Sequence, residues 1–199
     1  MMRTAGVVPR PRRCGIVRGS GLLLLRLLLL LFPASAAPHA TIDGRACFRS
    51  LAGTIEAMFA LASRYPRLAS VSDIGDSFLK TARDGNNDTR RDARAASDDG
   101  HDIYALNVTA ADGPLPSADR AKVLVLSGVH PRELAPPELA LRFAERLAAG
   151  YGADADVTWL LRRVEVHFVL HANPDGRRAT EARPGAARVR KNLNPGGCG

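Results

Sequence analysis

Two hydrophobic periods alternate along the chain, and each change of period predicts the boundary of an element. Between Ser50 and Tyr65 the apolar residues recur at helical spacing, which predicts an amphipathic helix that ends near Pro66. Shorter apolar runs indicate strands, and helical spacing returns after residue 137. In order, the sequence predicts a helix at 50–65, strands at 69–78, 102–109 and 123–129, helices at 137–149 and 154–163, and a strand at 164–170. This order is typical of an α/β fold in which a mixed sheet is flanked by helices.

The run from Val123 to Val129 is the strongest strand signal. It is apolar almost without interruption, which is the pattern of a strand that other layers cover on both faces. The polar segments 81–100 and 110–120 are predicted to be loops, and residues 38–46 show no period. Asn173-Pro-Asp-Gly176 is predicted to be a simple turn, because all four residue types are common turn formers.

The first 36 residues have the pattern of a secretory signal peptide. A basic beginning without acidic residues precedes an apolar run of eleven residues, Leu22 to Phe32, and Ala34-Ser-Ala36 forms a small-residue cleavage site. The run is too short to cross a bilayer comfortably as a helix. We therefore expect residues 1–36 to direct secretion, with a signal anchor or an organellar transit segment as the alternatives. Residues 37–46 are then a lead segment, and 47–199 form the folded domain.

The distribution of charge argues against a nucleic-acid partner. The chain has 28 basic and 20 acidic residues and a formal net charge of +8, but six of the basic residues lie in the predicted signal peptide. The remainder carries 22 basic and 20 acidic residues, a balance of only +2. Nucleic-acid-binding domains usually show a strong basic excess. We expect no nucleic-acid partner, and contact with a membrane only through the N-terminal signal.

A candidate metal site follows the apolar run. His130 and Glu133 are three residues apart where the predicted strand gives way to the helix, so their side chains can converge on one point. Imidazole and carboxylate are both zinc ligands, although so short a motif is by itself more often a polar surface turn. His167 and His171 fall on one face of the last predicted strand, and we interpret them as structural.

Four motifs stand in a fixed order along the chain: Asp73-Ile-Gly-Asp-Ser77, Val129-His-Pro-Arg-Glu133, Asn173-Pro-Asp-Gly176 and Val189-Arg-Lys-Asn192. Their order and spacing resemble the zinc metallocarboxypeptidases of the carboxypeptidase A type over residues 47–199. The resemblance implies that these residues are the N-terminal part of such a catalytic domain. It also implies Zn²⁺ as the cofactor and the C-termini of peptides or proteins as the substrate.

The resemblance also implies a role for individual residues. His130 and Glu133 match the first two zinc ligands of the family. Arg132 matches a residue that binds substrate beyond its terminal residue. Arg190 matches the arginine that polarises the scissile carbonyl and stabilises the developing oxyanion, so it is expected to be both catalytic and substrate-binding.

Other parts of the family's site have no counterpart in the sequence. The family's third zinc ligand, the pair that binds the substrate carboxylate and the general-base glutamate lie downstream of the Arg-Lys-Asn segment, and the sequence ends at Gly199. We therefore expect the C-terminal half of the fold to be absent. Three functions stay open: a zinc carboxypeptidase that removes C-terminal residues, a non-catalytic truncated secreted protein of the same type, and a zinc amidohydrolase or deacylase of the related type.

Overall fold

A four-stranded mixed sheet forms the centre of the computed structural model, which describes residues 39–85, 100–182 and 189–194. The elements in chain order are β1 (Thr41–Ile42), β2 (Arg45–Arg49), α1 (Leu51–Arg64), β3 (Ala69–Asp76), α2 (Phe78–Gly85), β4 (Asp102–Val108), β5 (Ala121–Leu126), α3 (Ala135–Gly150), α4 (Ala155–Leu161), β6 (Val164–Val169) and α5 (Pro174–Ala182). The sheet order is β3-β4-β6-β5, with β5 and β6 parallel and the other neighbours antiparallel. The predicted mixed sheet flanked by helices is confirmed.

One face of the sheet packs against α1, α3 and α4. Val71, Leu106 and Phe168 are cross-strand partners on that face, and Phe143 of α3 contacts Phe168 edge to face with ring centroids 5.8 Å apart. Each large apolar side chain buried in this way stabilises the fold by roughly 1.5–3 kcal/mol. The buried side chains of this core include Ala57, Met58, Leu61, Ala69, Leu106, Val108, Leu141, Ala144, Leu147, Leu161, Val166 and Phe168.

Helix α1 begins and ends close to the predicted residues because both of its ends have partners. The Ser50 hydroxyl accepts a hydrogen bond from the Gly53 N–H at 3.0 Å, which is the arrangement of an N-cap. The Glu181 carboxylate accepts a second one from the Leu51 N–H at 2.9 Å, so α5 is docked against the start of α1. At the other end the Tyr65 N–H donates to the Leu61 carbonyl.

Strand β5 corrects one prediction. The apolar run was expected to be covered on both faces, but β5 is the edge of the sheet within the described residues, and Val123, Leu124 and Leu126 are 47%, 64% and 55% exposed. The run also forms a shorter strand than predicted, because it leaves the sheet after Leu126. Val125 still packs against the core, so the side towards α3 is covered as predicted at Val125 but not at Val123.

Two segments that were expected to lack regular structure form elements. Residues 38–46 show no period in the sequence, yet Thr41–Ile42 pairs with Arg45–Arg49 in a hairpin. Gly44 supplies the positive φ of 73° that its turn requires. The predicted loop at 81–100 begins too early, because α2 continues to Gly85. Residues 86–99 and the predicted signal peptide lie outside the described residues. Within the described residues, no helix is long and apolar enough to cross a membrane.

Candidate metal and substrate site

The chain turns sharply between β5 and the candidate ligands. Gly128 adopts a positive φ of 65°, and a side chain there would meet the Leu170 carbonyl oxygen at 2.5 Å. The Ser127 hydroxyl donates to that same carbonyl at 2.8 Å, and the Asn173 N–H donates to the Gly128 carbonyl at 3.1 Å. The segment that leads to His130 is therefore held closely against the chain that follows β6.

His130 and Glu133 lie on one turn. The Glu133 N–H donates to the His130 carbonyl at 3.1 Å, and Pro131 between them is fully buried. His130 is half-buried, whereas Arg132 and Glu133 are exposed. This turn therefore presents an imidazole, a carboxylate and a guanidinium at the surface while its proline anchors it to the interior.

The segment 189–194 crosses this turn and contacts both candidate ligands through Arg190. The Arg190 guanidinium lies 3.2 Å from the Glu133 carboxylate, and the Arg190 carbonyl oxygen lies 3.3 Å from Nδ1 of His130. A carbonyl oxygen can only accept, so the second contact requires the proton of the imidazole on Nδ1. The structure thus brings His130, Glu133 and Arg190 together, although Arg190 is 57 residues from Glu133 in sequence.

Asn173 links the motifs that surround the turn. Its side-chain amide donates to the Lys191 carbonyl at 3.1 Å and, at the longer distance of 3.5 Å, to the Val129 carbonyl. Its side-chain oxygen accepts from the Gly176 N–H at 3.0 Å. The Asn173 side chain is buried, so the loss of these partners would leave its amide poorly solvated and is costly.

The prediction that Asn173-Pro-Asp-Gly176 is a simple turn is wrong. Helix α5 begins at Pro174, and Asn173 accepts from a backbone N–H of its first turn. Asparagine before a helix and proline at its first position are both start signals, so this beginning could have been found in the sequence. Asp175 is buried and accepts from the Leu79 N–H at 2.9 Å, which joins α5 to the start of α2.

The two histidines near β6 do not share a face as predicted. His167 lies within β6, is partly exposed and is 3.4 Å from the Glu165 carboxylate. His171 lies beyond the end of β6 and is buried against Gly128. Burial, with smaller contributions from the charges of Arg177 and His101, lowers the pKa of His171 to about 3.

His130 and Glu133 have the chemistry of two of the three protein ligands of a catalytic zinc ion. A catalytic zinc takes three protein ligands and one water, and imidazole with carboxylate is a common part of that set. Among the described residues, no third His, Cys, Asp or Glu side chain groups with His130 and Glu133. The one such group of three in the described part is Asp73, Asp76 and Asp102, where the Lys80 ammonium contacts Asp76 and Asp102 and thereby compensates their charge.

Comparison with solved structures supports the fold. The chain superposes on the crystal structure of thrombin activatable fibrinolysis inhibitor with a TM-score of 0.58 at 20% identity, covering 76% of this chain and 32% of that one. Carboxypeptidase A from Helicoverpa armigera gives a TM-score of 0.56, also at 20% identity, over 76% of this chain and 30% of that one. At this level of identity the two likenesses establish the shared architecture.

Comparison with sequences establishes the family. Mouse (Mus musculus) carboxypeptidase A4 is 24% identical over 139 residues, which is 70% of this chain and 27% of that protein. The chain therefore spans little more than a quarter of the length of this relative. The zinc carboxypeptidase family model matches residues 54–198, well over half of the chain, and its match includes His130, Glu133 and Arg190. The chain belongs to the zinc carboxypeptidase family.

Proposed function

We propose that this chain forms part of a zinc-dependent metallocarboxypeptidase that hydrolyses C-terminal residues from peptides and proteins. In this proposal His130 and Glu133 bind the zinc ion, Arg190 is catalytic, and Arg132 and Arg190 contact the substrate. The observation that carries it is the position of Arg190, whose guanidinium lies 3.2 Å from Glu133 and whose carbonyl lies 3.3 Å from His130. Residues from two distant motifs thereby form one cluster.

The charges of this cluster suit a peptide substrate. Arg132 and Arg190 are both exposed and positively charged, so a substrate carbonyl or carboxylate can approach them from solvent. A guanidinium beside a scissile carbonyl stabilises negative charge that develops only in the transition state, and that is the difference in binding that accelerates a reaction. A zinc ion, when bound, supplies a Lewis acid and lowers the pKa of its water towards about 7.

The pairing of Arg190 with Glu133 leaves both side chains available to other partners. Glu133 is 45% exposed and Arg190 is 51% exposed, so their ion pair is weak, at about 0–1 kcal/mol. Binding of a cation by Glu133 would therefore release the guanidinium at little cost. Arg190 would then be available to contact a substrate, with its backbone held by the hydrogen bond to the neighbouring Lys191 carbonyl.

A second candidate is a non-catalytic protein that keeps two zinc ligands. It is favoured by the absence, among the described residues, of a third donor that groups with His130 and Glu133. A zinc deacylase of the related type is the third candidate function. All three share the metal site and differ in the reaction that the zinc-loaded chain performs.

Zinc titration with matched variants tests the proposed ligands. His130→Ala and Glu133→Gln should each weaken zinc binding by at least about tenfold, because even the loss of a residue that only supports a ligand costs 10–100-fold. His39→Ala and Glu56→Gln are the controls, since these two side chains form a similar pair 3.9 Å apart, outside the proposed site. Equal zinc affinity for all four variants would show that His130 and Glu133 are not ligands.

Hydrolysis assays then separate the three functions. Zinc-loaded protein is offered an N-blocked dipeptide and, separately, an acylated amino acid. Release of the C-terminal residue from the dipeptide supports the carboxypeptidase, and Arg190→Gln should then reduce kcat more than it raises KM. Cleavage of the acylated amino acid alone supports the deacylase, and no cleavage of either by a zinc-bound chain supports the non-catalytic protein.

The proposed location is the secretory pathway. It is supported by the basic, apolar and small-residue order of residues 1–36. Secreted protein produced in eukaryotic cells should begin at Ala37, which N-terminal sequencing detects. Recovery of a product that still carries Leu22 to Phe32 would support the signal-anchor alternative.

A further inference from the structure

Asn173 lies where three segments meet, and its side chain bonds to all of them. The amide nitrogen donates to the Lys191 carbonyl and the Val129 carbonyl, and the amide oxygen accepts from the Gly176 N–H. Its backbone N–H donates to the Gly128 carbonyl. One residue thus connects the end of β5, the start of α5 and the segment 189–194.

The packing around Asn173 leaves little freedom. A Cβ atom on Gly176 would lie 2.4 Å from Cγ of Pro131 and 2.8 Å from Oδ1 of Asn173, so only glycine lets α5 approach this closely. Pro131 is the fully buried residue between His130 and Arg132. The amide of Asn173 is therefore fixed against the same turn that carries the proposed zinc ligands.

The other contacts described between this turn and the segment 189–194 are weaker. The ion pair of Arg190 with Glu133 is about half-exposed, and such pairs contribute little. The contact between Nδ1 of His130 and the Arg190 carbonyl is long, at 3.3 Å. A hydrogen bond to the Lys191 carbonyl from a buried amide, at 3.1 Å, is the stronger restraint.

We propose that Asn173 is a positioning residue, whose side-chain amide holds the segment 189–194 against the His130–Glu133 turn and so determines where Arg190 stands. That this position of Arg190 serves catalysis rests on the proposed function. That Asn173 holds the segment 189–194 in place rests only on the contacts of Asn173, and it can be measured without zinc or substrate.

Asn173→Asp is the variant that tests this role most directly. A carboxylate keeps an oxygen for the Gly176 N–H, and therefore keeps the cap of α5, but it cannot donate to the Lys191 carbonyl. Hydrogen–deuterium exchange of a peptide that covers 189–194 should become about tenfold faster, since one buried hydrogen bond changes an opening equilibrium by about this factor. Exchange in α5 should change much less. Asn107→Asp is the matched control, because it makes the same change at a half-buried amide on β4.

A spectroscopic readout at His130 distinguishes positioning from a purely structural role. The Arg190 carbonyl requires the Nδ1–H tautomer of His130, and nitrogen NMR reports the tautomer directly. In Asn173→Asp the tautomers should mix because the carbonyl moves away, whereas Asn107→Asp should keep the Nδ1–H form. If Asn173→Asp lowers the yield of folded protein, Asn173→Ala removes the donor to Lys191 without a buried charge, and exchange in α5 then reports the loss of its cap separately.

The outcomes separate this inference from the proposed function. Unchanged exchange at 189–194 and an unchanged His130 tautomer in the Asn173 variants would overturn the positioning role, even for a chain that binds zinc. Equal changes in Asn107→Asp would also overturn it. Faster exchange and a mixed tautomer in a chain that fails to bind zinc would support the positioning role and count against the proposed function.

Discussion

Lowering the pH from 8 to 5 should destabilise this chain through His171. The ring is 93% shielded from solvent, and neither of its nitrogens has a hydrogen-bond partner among the described residues. Protonation would place a charge in this buried position, close to the Arg177 guanidinium and to His101. Burial chiefly, and then these two neighbours, lower the pKa of His171 to about 3, from 6.5 for an exposed histidine.

The sign of the effect follows from where the proton binds. Above pH 6.5 His171 is neutral in both the folded and the unfolded chain, so the full stability is present. Below pH 6.5 the unfolded chain binds a proton at His171 that the folded chain does not bind. The free energy of unfolding therefore falls as the pH falls towards about 3. Each pH unit below 6.5 lowers the free energy of unfolding by about 1.4 kcal/mol, so the stability lost at pH 5 is about 2 kcal/mol. This figure holds for any folded-state pKa below about 4.

Urea unfolding at several pH values between 8 and 5 measures this loss. Other groups also titrate, so the informative quantity is the difference between the wild type and His171→Gln, which has no proton to bind. The wild type should lose about 2 kcal/mol more than His171→Gln over this range. Parallel curves for the wild type and His171→Gln would refute the reasoning.

Two further substitutions test the turn after β5 and the exposed edge. Gly128→Ala should lower the free energy of unfolding by at least about 2 kcal/mol, because it adds a contact of 2.5 Å with the Leu170 carbonyl to the cost of a positive φ. Gly152→Ala is the control, since it has the same backbone cost but open space around it. Thermal unfolding of both variants isolates the steric part, and equal losses of stability would contradict it. Leu124→Glu should reduce concentration-dependent association in sedimentation experiments, because Leu124 is 64% exposed on the edge strand of the described sheet. Leu115→Glu, outside the strand, should have less effect.

The helices and strands were predictable where one face of an element dominates its sequence. Helix α1 has a polar face and an apolar face, and its capping serine is visible in the sequence, so its bounds were predicted within one residue at each end. The order of the sheet was not predictable, because β6 lies between β4 and β5 although it follows both in the chain. Periodicity describes the surroundings of one strand and says nothing about its neighbours.

The exposure of β5 shows a different limit. An apolar run indicates that a strand prefers to be covered, and it cannot indicate whether the covering chain is present. Leu124 and His167 are neighbours on the face opposite the core, and both are accessible to solvent. The two superposed relatives are about two and a half times as long as this chain, so the described residues correspond to only part of their fold.

The candidate site was predictable only in part because its residues are joined by different kinds of contact. His130 and Glu133 belong to one turn, so their spacing alone indicates a common point. Arg190 reaches them from 57 residues away, and only the order of motifs gave a reason to connect it with them. Asn173 was missed because a simple turn explained its motif sufficiently, whereas its buried amide is visible only in the fold.

The position of the turn within the sheet constrains any completion of the metal site. His130 and Glu133 follow the carboxyl end of β5, the edge strand, and the side towards β6 is already filled by Asn173 and the start of α5. A third zinc donor therefore has to approach from solvent or from the open edge, where Leu126 and Val129 are about half-exposed. If the proposed function is right, a donor that approaches from this edge would lie against these apolar residues and shield them from water. Zinc affinity would then rise together with the burial of β5.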